Sequence, residues 1–237
     1  MCPRRPHLVL FLSNEATDSE NSRSFIQDDG RLHYRPKAGT DRVFTFDESI
    51  TKSLDSLSAI ENQHRVRWRW EMPLRGIAYQ VGQQDSSTLS TVTLVCSKES
   101  LPQAHLFAEV MREFLCKTAP APKLQVLLRD GSGGVRIEPL DAGATPKYDA
   151  ESSWDFEDFN GLIEGLYGLI AAMGEQGIAE NQIIIDVTGG QKTTSIAGAS
   201  ITINREVVIQ YIQTNNKHEP RGYDVIHPTG ETPGFGT

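Results

Sequence analysis

A short polar stretch in the last quarter of the chain has the residue types that bind anions. Gly189 and Gly190 lack a Cβ, so a ligand can approach their backbone closely. Lys192 adds a positive charge, and hydroxyl groups nearby add donors for phosphate-like oxygens. We therefore predict an anion site made of Thr188, Gly189, Gly190, Gln191, Lys192, Thr193 and Thr194.

This stretch has two other interpretations besides an anion site. A nucleotide P-loop needs a glycine, four residues and then Gly-Lys-Ser/Thr. Here Gln191 separates Gly190 from Lys192 and the upstream glycine is missing, which excludes that motif. A purely structural role stays open, in which Asp186 caps the turn and Lys192 is solvated.

The flanking residues predict the elements that hold this stretch. Residues 183–187 are mostly β-branched and, apart from Asp186, apolar, which is typical of a strand buried on both faces. Residues 195–204 predict a helix that can lie close against the sheet. The residues that would allow this are Ile196, Ala199, Ile203 and the small residues Ala197, Gly198 and Ser200. The first N–H groups of such a helix have no partner within it, and its dipole adds partial positive charge. An anion is therefore favoured at the glycine turn.

The run Asp186-Val187-Thr188-Gly189-Gly190-Gln191-Lys192 resembles the Asp-x-Thr-Gly-Gly-x-Lys signature of the CRISPR-associated Rossmann fold family, the CARF domains. The resemblance is sharp over about a dozen residues and only architectural elsewhere. It implies a homodimeric sensor of cyclic oligoadenylate in type III CRISPR defence. The ligand would be cyclic tetra- or hexa-adenylate, and the dimer would regulate a fused or separate effector.

The resemblance also implies a second possibility, because some CARF proteins cleave their own ligand. In this metal-independent ring-nuclease reaction an adenosine 2′-hydroxyl attacks the adjacent phosphate. Lys192 and the amides of Gly189 and Gly190 would then stabilise the developing charge. A third possibility is a generic nucleotide-binding regulatory Rossmann domain, so whether the chain is an enzyme stays open.

Composition bounds these possibilities. The formal net charge of -8 argues against broad binding to duplex nucleic acid, which needs a basic face. Cys2, Cys96 and Cys116 are too dispersed to indicate a zinc site or a disulfide framework. No apolar run is long enough to span a bilayer. We expect a cytoplasmic protein without a metal or a cofactor.

Two other loops are predicted to follow strands of the same sheet. Residues 7–12 form an apolar run that ends at Ser13 and Asn14, and 91–96 form another that ends at Ser97 and Lys98. Ligands of doubly wound sheets lie outside the carboxyl ends of the strands. Ser13, Asn14 and Ser97 are therefore further candidates for ligand binding, although Ser13 and Asn14 are equally typical of a turn or cap.

The first half of the chain gives three more predictions. Residues 15–45 are polar and predict a long loop or a hairpin insertion, and 47–63 predict an amphipathic helix. Residues 66–72 alternate as in a strand, which 77–81 continue after Pro73. Trp68 and Trp70 in that strand favour core or dimer packing over stacking on nucleobases.

The rest of the chain predicts alternating strands and helices. The helices are expected near 104–114 and over 154–175, with Gly177 after the second. The strands are expected over 124–128 and 135–137, joined by a glycine hairpin turn, and over 207–212 and 223–226. We predict an α/β fold of the Rossmann-like, doubly wound class, with a mostly parallel sheet and helices on both faces. Residues 1–226 would form one domain and 227–237 a flexible tail or a truncated linker.

Overall fold

The computed structural model describes residues 2–12, 25–28, 31–34, 44–45, 70–81, 89–115, 121–142, 148–213 and 220–223. The strands in these ranges are β1 (His7–Leu12), β2 (Phe25–Asp28), β3 (Arg31–Tyr34), β4 (Phe44–Thr45), β5 (Thr91–Cys96), β6 (Lys123–Arg129), β7 (Val135–Pro139), β8 (Ile183–Asp186), β9 (Val208–Ile212) and β10 (Pro220–Tyr223). The α-helices are α1 (Glu71–Val81), α2 (Ala104–Leu115), α3 (Phe159–Glu175) and α4 (Lys192–Ile201).

Seven strands form one sheet in the order β10-β9-β8-β1-β5-β6-β7. The five inner strands pair in parallel, and the two edge strands β7 and β10 are antiparallel. Buried apolar runs such as 8–12 and 183–185 form the inner strands because both of their faces are covered. The predicted mostly parallel sheet is confirmed.

Helices cover both faces of the sheet, as predicted. Leu8, Leu10 and Leu12 of β1 pack in one core with α1 and α2. Val9 and Phe11 point the other way and pack in a second core with α3 and α4. This alternation follows from the two-residue repeat of a strand, and it confirms the α/β Rossmann-like class.

The strand order reverses beside β1. The chain runs from β1 to β5 and β6 on one side, and later places β8 and β9 on the other side. Ligands of open α/β sheets bind outside the carboxyl ends of strands at such a point. The crevice is therefore expected beyond Leu12 of β1 and Asp186 of β8, where the glycine turn begins.

The predicted strand through Trp70 is wrong where the structure describes it. Glu71–Val81 is the helix α1, and Pro73 lies in its first turn, where proline is tolerated. Trp70 itself is fully buried, with its ring edge-on to Phe107 at 5.2 Å between centroids. Its expected role in packing is thus confirmed, whereas residues 66–69 lie outside the described ranges.

Three element boundaries also differ from the prediction. Helix α3 begins at Phe159 after the N-cap Asp158, because 154–158 form an irregular segment. Helix α4 begins at Lys192, three residues early. Ile196 and Ile203 are 58% and 42% exposed instead of facing the sheet, whereas the small residues Ala197 and Gly198 are buried, as predicted. The last described strand is Pro220–Tyr223 instead of 223–226.

The segment 15–45 contains a small antiparallel sheet in the order β2-β3-β4, which agrees with the hairpin alternative. The predicted hairpin between β6 and β7 and the end of α3 before Gly177, whose φ is +82°, are also present. The predicted helix over 47–63 and the tail 227–237 lie outside the described residues. Within the described ranges no helix combines the length and apolar character needed to cross a membrane.

Candidate functional site

The glycine turn connects β8 to α4 at the expected edge of the sheet. Gly190 has φ of +85°, a conformation that residues with a side chain rarely adopt. A Cβ at this position would overlap with Oγ1 of Thr194. Glycine is therefore required at position 190 both for its backbone angle and for space.

Helix α4 presents its amino end to solvent. Gln191 is the N-cap residue, but its side chain makes no capping hydrogen bond. Gln191 and Lys192 are both exposed, and the first amides of a helix have no acceptor within the helix. The turn thus combines helix-end donors with an exposed ammonium group, an arrangement that favours an anion.

The hydroxyl groups around the turn are used within the protein. Thr194 donates to the carbonyl oxygen of Gln191 at 2.6 Å, and Ser195 donates to that of Val187 at 3.0 Å. The hydroxyl of Thr188 accepts a hydrogen bond from the amide of Ile212 at 2.8 Å and donates to the carboxyl of Asp186. Thr188 and Thr194 therefore shape the turn, where the sequence predicted donors to a ligand. Thr193 is half-buried.

Asp186 lies beneath the turn and is fully buried. Its Oδ1 accepts a hydrogen bond from the amide of Thr188 at 2.8 Å, and its Oδ2 accepts one from Nε2 of Gln210 at 2.5 Å. Burial raises the pKa of this carboxyl to about 6, because the charged form loses its hydration, although the hydrogen bonds from Thr188 and Gln210 act in the opposite direction. The predicted capping role of Asp186 is thus present together with the features of an anion site.

A cavity of about 540 Å³ adjoins the turn through Gln191. This volume is within the range of small-molecule sites, about 300–1,000 Å³. Its charged lining residues are the cations Lys98 and Arg129 and the acids Glu99, Glu151, Asp155 and Glu157. The acids outnumber the cations, so the cavity itself does not favour a polyanion.

One wall of the cavity is the irregular segment 154–157, which lies across the carboxyl ends of β5 and β6. The amide of Trp154 donates to the carbonyl of Cys96 at 3.0 Å, and its Nε1 donates to that of Leu127 at 2.9 Å. The guanidinium of Arg129 lies 5.7 Å from the centroid of the Trp154 ring. These contacts fix the segment at the same edge of the sheet as the turn.

The other candidate loops differ in what the structure places near the turn. Ser97 and Lys98 line the cavity together with Gln191, although the hydroxyl of Ser97 donates to Glu99 at 2.8 Å. Ser13 and Asn14 lie outside the described residues. The structure thus brings together the turn and the loop after β5, at neighbouring edges of one crevice.

Three residues of this region were not identified from the sequence. Arg129 could have been identified by the rule that indicated Ser97, because it is the last residue of a parallel strand and ligands bind beyond the carboxyl ends of such strands. Gln210 could have been identified, because it is a polar residue within the otherwise largely apolar strand β9. No local signal marked Trp154, because it was assigned to the stripe of a helix that begins five residues later.

The sequence is similar to that of a bacterial protein. The chain is 25% identical over 194 residues to an uncharacterized protein of Aquifex aeolicus (strain VF5), and the match covers 76% of this chain. It covers 51% of the Aquifex protein, so the chain spans about half the length of that relative. Neither a family model nor a solved structure matches the chain.

Proposed function

We propose that this chain is a homodimeric sensor of cyclic oligoadenylate that regulates an effector in type III CRISPR defence. The observation that carries the proposal is the position of the turn. The Asp-x-Thr-Gly-Gly-x-Lys run stands where the strand order reverses, with Lys192 exposed at the amino end of α4. This is the place at which an open α/β sheet binds its ligand, and the helix end favours phosphate.

The turn is positively charged and the adjoining cavity is mostly acidic, so different parts of the ligand would bind at each. Phosphates belong at the turn, where Lys192 and the first amides of α4 supply positive charge. The adjoining cavity carries a majority of carboxylates, which repel phosphate. An uncharged base fits the cavity better, because Arg129 offers a planar guanidinium on which a base can stack.

A twofold dimer would match a ring-shaped ligand. Each subunit of a homodimer contributes the same surface, so two copies of the turn can read equivalent halves of a ring with repeated phosphates. Because the chain spans about half of its Aquifex relative, an effector segment in a longer protein is part of the same proposal.

The experiment is to incubate the purified protein without metal with labelled cyclic tetra-adenylate and cyclic hexa-adenylate. Retention of intact ligand supports the sensor. Linear products would instead indicate the ring nuclease, with Lys192 as the candidate that stabilises the transition-state charge. If neither ring is retained or cleaved, the proposal is wrong and the generic nucleotide-binding domain remains.

A further inference from the structure

A chain of hydrogen bonds begins at the backbone of the first residues described. The amide of Arg5 donates to Oε1 of Gln80 at 2.9 Å, and Nε2 of Gln80 donates to the carbonyl oxygen of Pro3 at 3.2 Å. A backbone amide can only donate and a backbone carbonyl can only accept. These two bonds therefore fix which end of the Gln80 amide is oxygen and which is nitrogen.

The orientation of Gln80 determines that of Gln210. The second hydrogen of Gln80 Nε2 is donated to Oε1 of Gln210 at 2.5 Å. Because its oxygen faces Gln80, Gln210 must present its Nε2 to Asp186, and it does so at 2.5 Å. Both glutamines are fully buried, so water cannot replace a mismatched partner.

The chain ends at the glycine turn. Asp186 receives the Gln210 donor on one oxygen and the amide of Thr188 on the other, and the hydroxyl of Thr188 also donates to the carboxyl. A carboxyl group that accepts on both oxygens has the hydrogen-bond pattern of its ionised form. The direction of every bond from Pro3 and Arg5 onward thus demands an acceptor at Asp186.

We infer that Asp186 is a positioning residue for the anion-binding turn, and that a one-way hydrogen-bond relay from the backbone of Pro3 and Arg5 through Gln80 and Gln210 requires it to be a carboxylate. A neutral amide at position 186 would satisfy the amide of Thr188 with its oxygen. Its NH₂ group would then oppose the NH₂ group of Gln210, with two donors facing each other. This role rests on the proposed function, because it serves a ligand only if the turn binds one.

The relay is tested by moving the carboxylate from position 186 to position 210. Asp186→Asn should disrupt it, and the double variant Asp186→Asn with Gln210→Glu should restore it. In the double variant the carboxylate at position 210 can accept both from Gln80 and from the new amide at position 186. The control is Asp130→Asn, because Oδ1 of Asp130 alone accepts from Ser132 and Gly134, and an amide keeps that oxygen.

The measurement is amide hydrogen exchange of the segment 187–195 in the protein without ligand. Asp186→Asn should speed exchange there about tenfold, and the double variant should bring it back to within about threefold of wild type. Asp130→Asn should leave the segment unchanged. If Asp186→Asn does not fold, recovery of folding in the double variant supports the relay.

The inference is overturned if Asp186→Asn leaves exchange of 187–195 unchanged, or if the double variant is no better than the single one. A carboxylate that acts only through its contact with Thr188, independently of Gln210, would not be rescued by a change at Gln210. These outcomes do not depend on the proposed function. If the wild-type protein fails to retain cyclic adenylates, the sensor is lost as a function while the exchange result still decides the relay.

Discussion

Gly76 of α1 packs directly against the carboxyl of Asp186, so a β-carbon at position 76 would overlap with Oδ2. The same β-carbon would lie 2.8 Å from Nε2 of Gln210. The helix thus approaches the buried carboxyl closely enough to exclude water, and only glycine permits this distance. The environment of Asp186 is therefore set by α1 as well as by β8 and β9.

We predict that Gly76→Ala lowers the free energy of unfolding by about 1–3 kcal/mol, since the added methyl group must displace a buried charged network. The matched control is Gly174→Ala in α3, where a β-carbon meets no neighbour and alanine should stabilise the helix by up to about 1 kcal/mol. Urea denaturation of both variants measures the difference. Equal stabilities of the two variants would show that α1 does not pack against Asp186 as described.

The pKa of Asp186, about 6 in the folded state against a usual value of 3.8, predicts a pH dependence of stability. Burial costs the ionised carboxyl more than its hydrogen bonds return, so the folded protein binds the proton more tightly than the unfolded chain. This group therefore stabilises the fold most at low pH, although the relay is complete only when Asp186 is ionised. Its contribution is lost as the pH rises from about 4 to about 6, by about 3 kcal/mol at about 1.4 kcal/mol per pH unit.

The measurement is urea denaturation from pH 4 to pH 8 of the wild type and Asp186→Asn, because other titrating groups cancel in the difference. Cys2 and Tyr79 are the titratable neighbours in the same network, and burial raises the pKa of both, that of Cys2 to about 11, so neither titrates in this range. The wild type should lose stability relative to the variant as pH rises. A difference that is constant with pH would show that the carboxyl titrates normally.

Gly190→Ala should disrupt the turn more than a comparable change elsewhere. Gly177 has nearly the same positive φ, but a β-carbon there has open space, whereas at Gly190 it would overlap with Thr194. Gly177→Ala should cost about 1 kcal/mol for backbone strain alone. Gly190→Ala should cost more and also weaken ligand binding. Thermal unfolding of both variants decides, and equal losses would mean that Thr194 does not confine the turn.

Much of the fold followed from the sequence because the inner strands are continuous apolar runs. Helix α1 was missed because 66–72 alternate like a strand. The better signal was the spacing of Trp70, Leu74, Ile77 and Val81, at four, three and four residues, and all four are buried. A helical repeat that spans a proline is easily overlooked, although the first turn of a helix accepts proline.

The hydrophobic residues of α4 did not identify which of its faces is buried. Ile196 and Ile203 are exposed, whereas Ala197, Gly198 and Ile201 are buried. A β-carbon at Gly198 would overlap with the side chain of Val187, so close approach of helix and strand selects the small residues. The small residues predicted this close approach, but the sequence pattern did not show that Ile196 and Ile203 would be left exposed.

The position of the glycine turn was predicted, but its supporting relay was not. Gln80 and Gln210 are 130 positions apart, and Gln80 and Pro3 are 77 apart. Each glutamine alone resembles an ordinary polar residue in a helix or strand. Only the three-dimensional pairing shows that their amides share one direction that ends at Asp186.

The most direct test of the anion-binding turn is a calorimetric titration of wild-type protein, Lys192→Ala and Lys123→Ala with cyclic tetra-adenylate and cyclic hexa-adenylate. Lys123 serves as the control, because it is an exposed lysine at the amino end of β6, whereas the glycine turn lies at the carboxyl ends of the parallel strands. We predict that Lys192→Ala weakens binding about 10- to 100-fold, as expected for a lost charged hydrogen bond, while Lys123→Ala binds like wild type. Binding of both rings by Lys192→Ala with unchanged affinity, or of neither ring by wild type, would contradict this account.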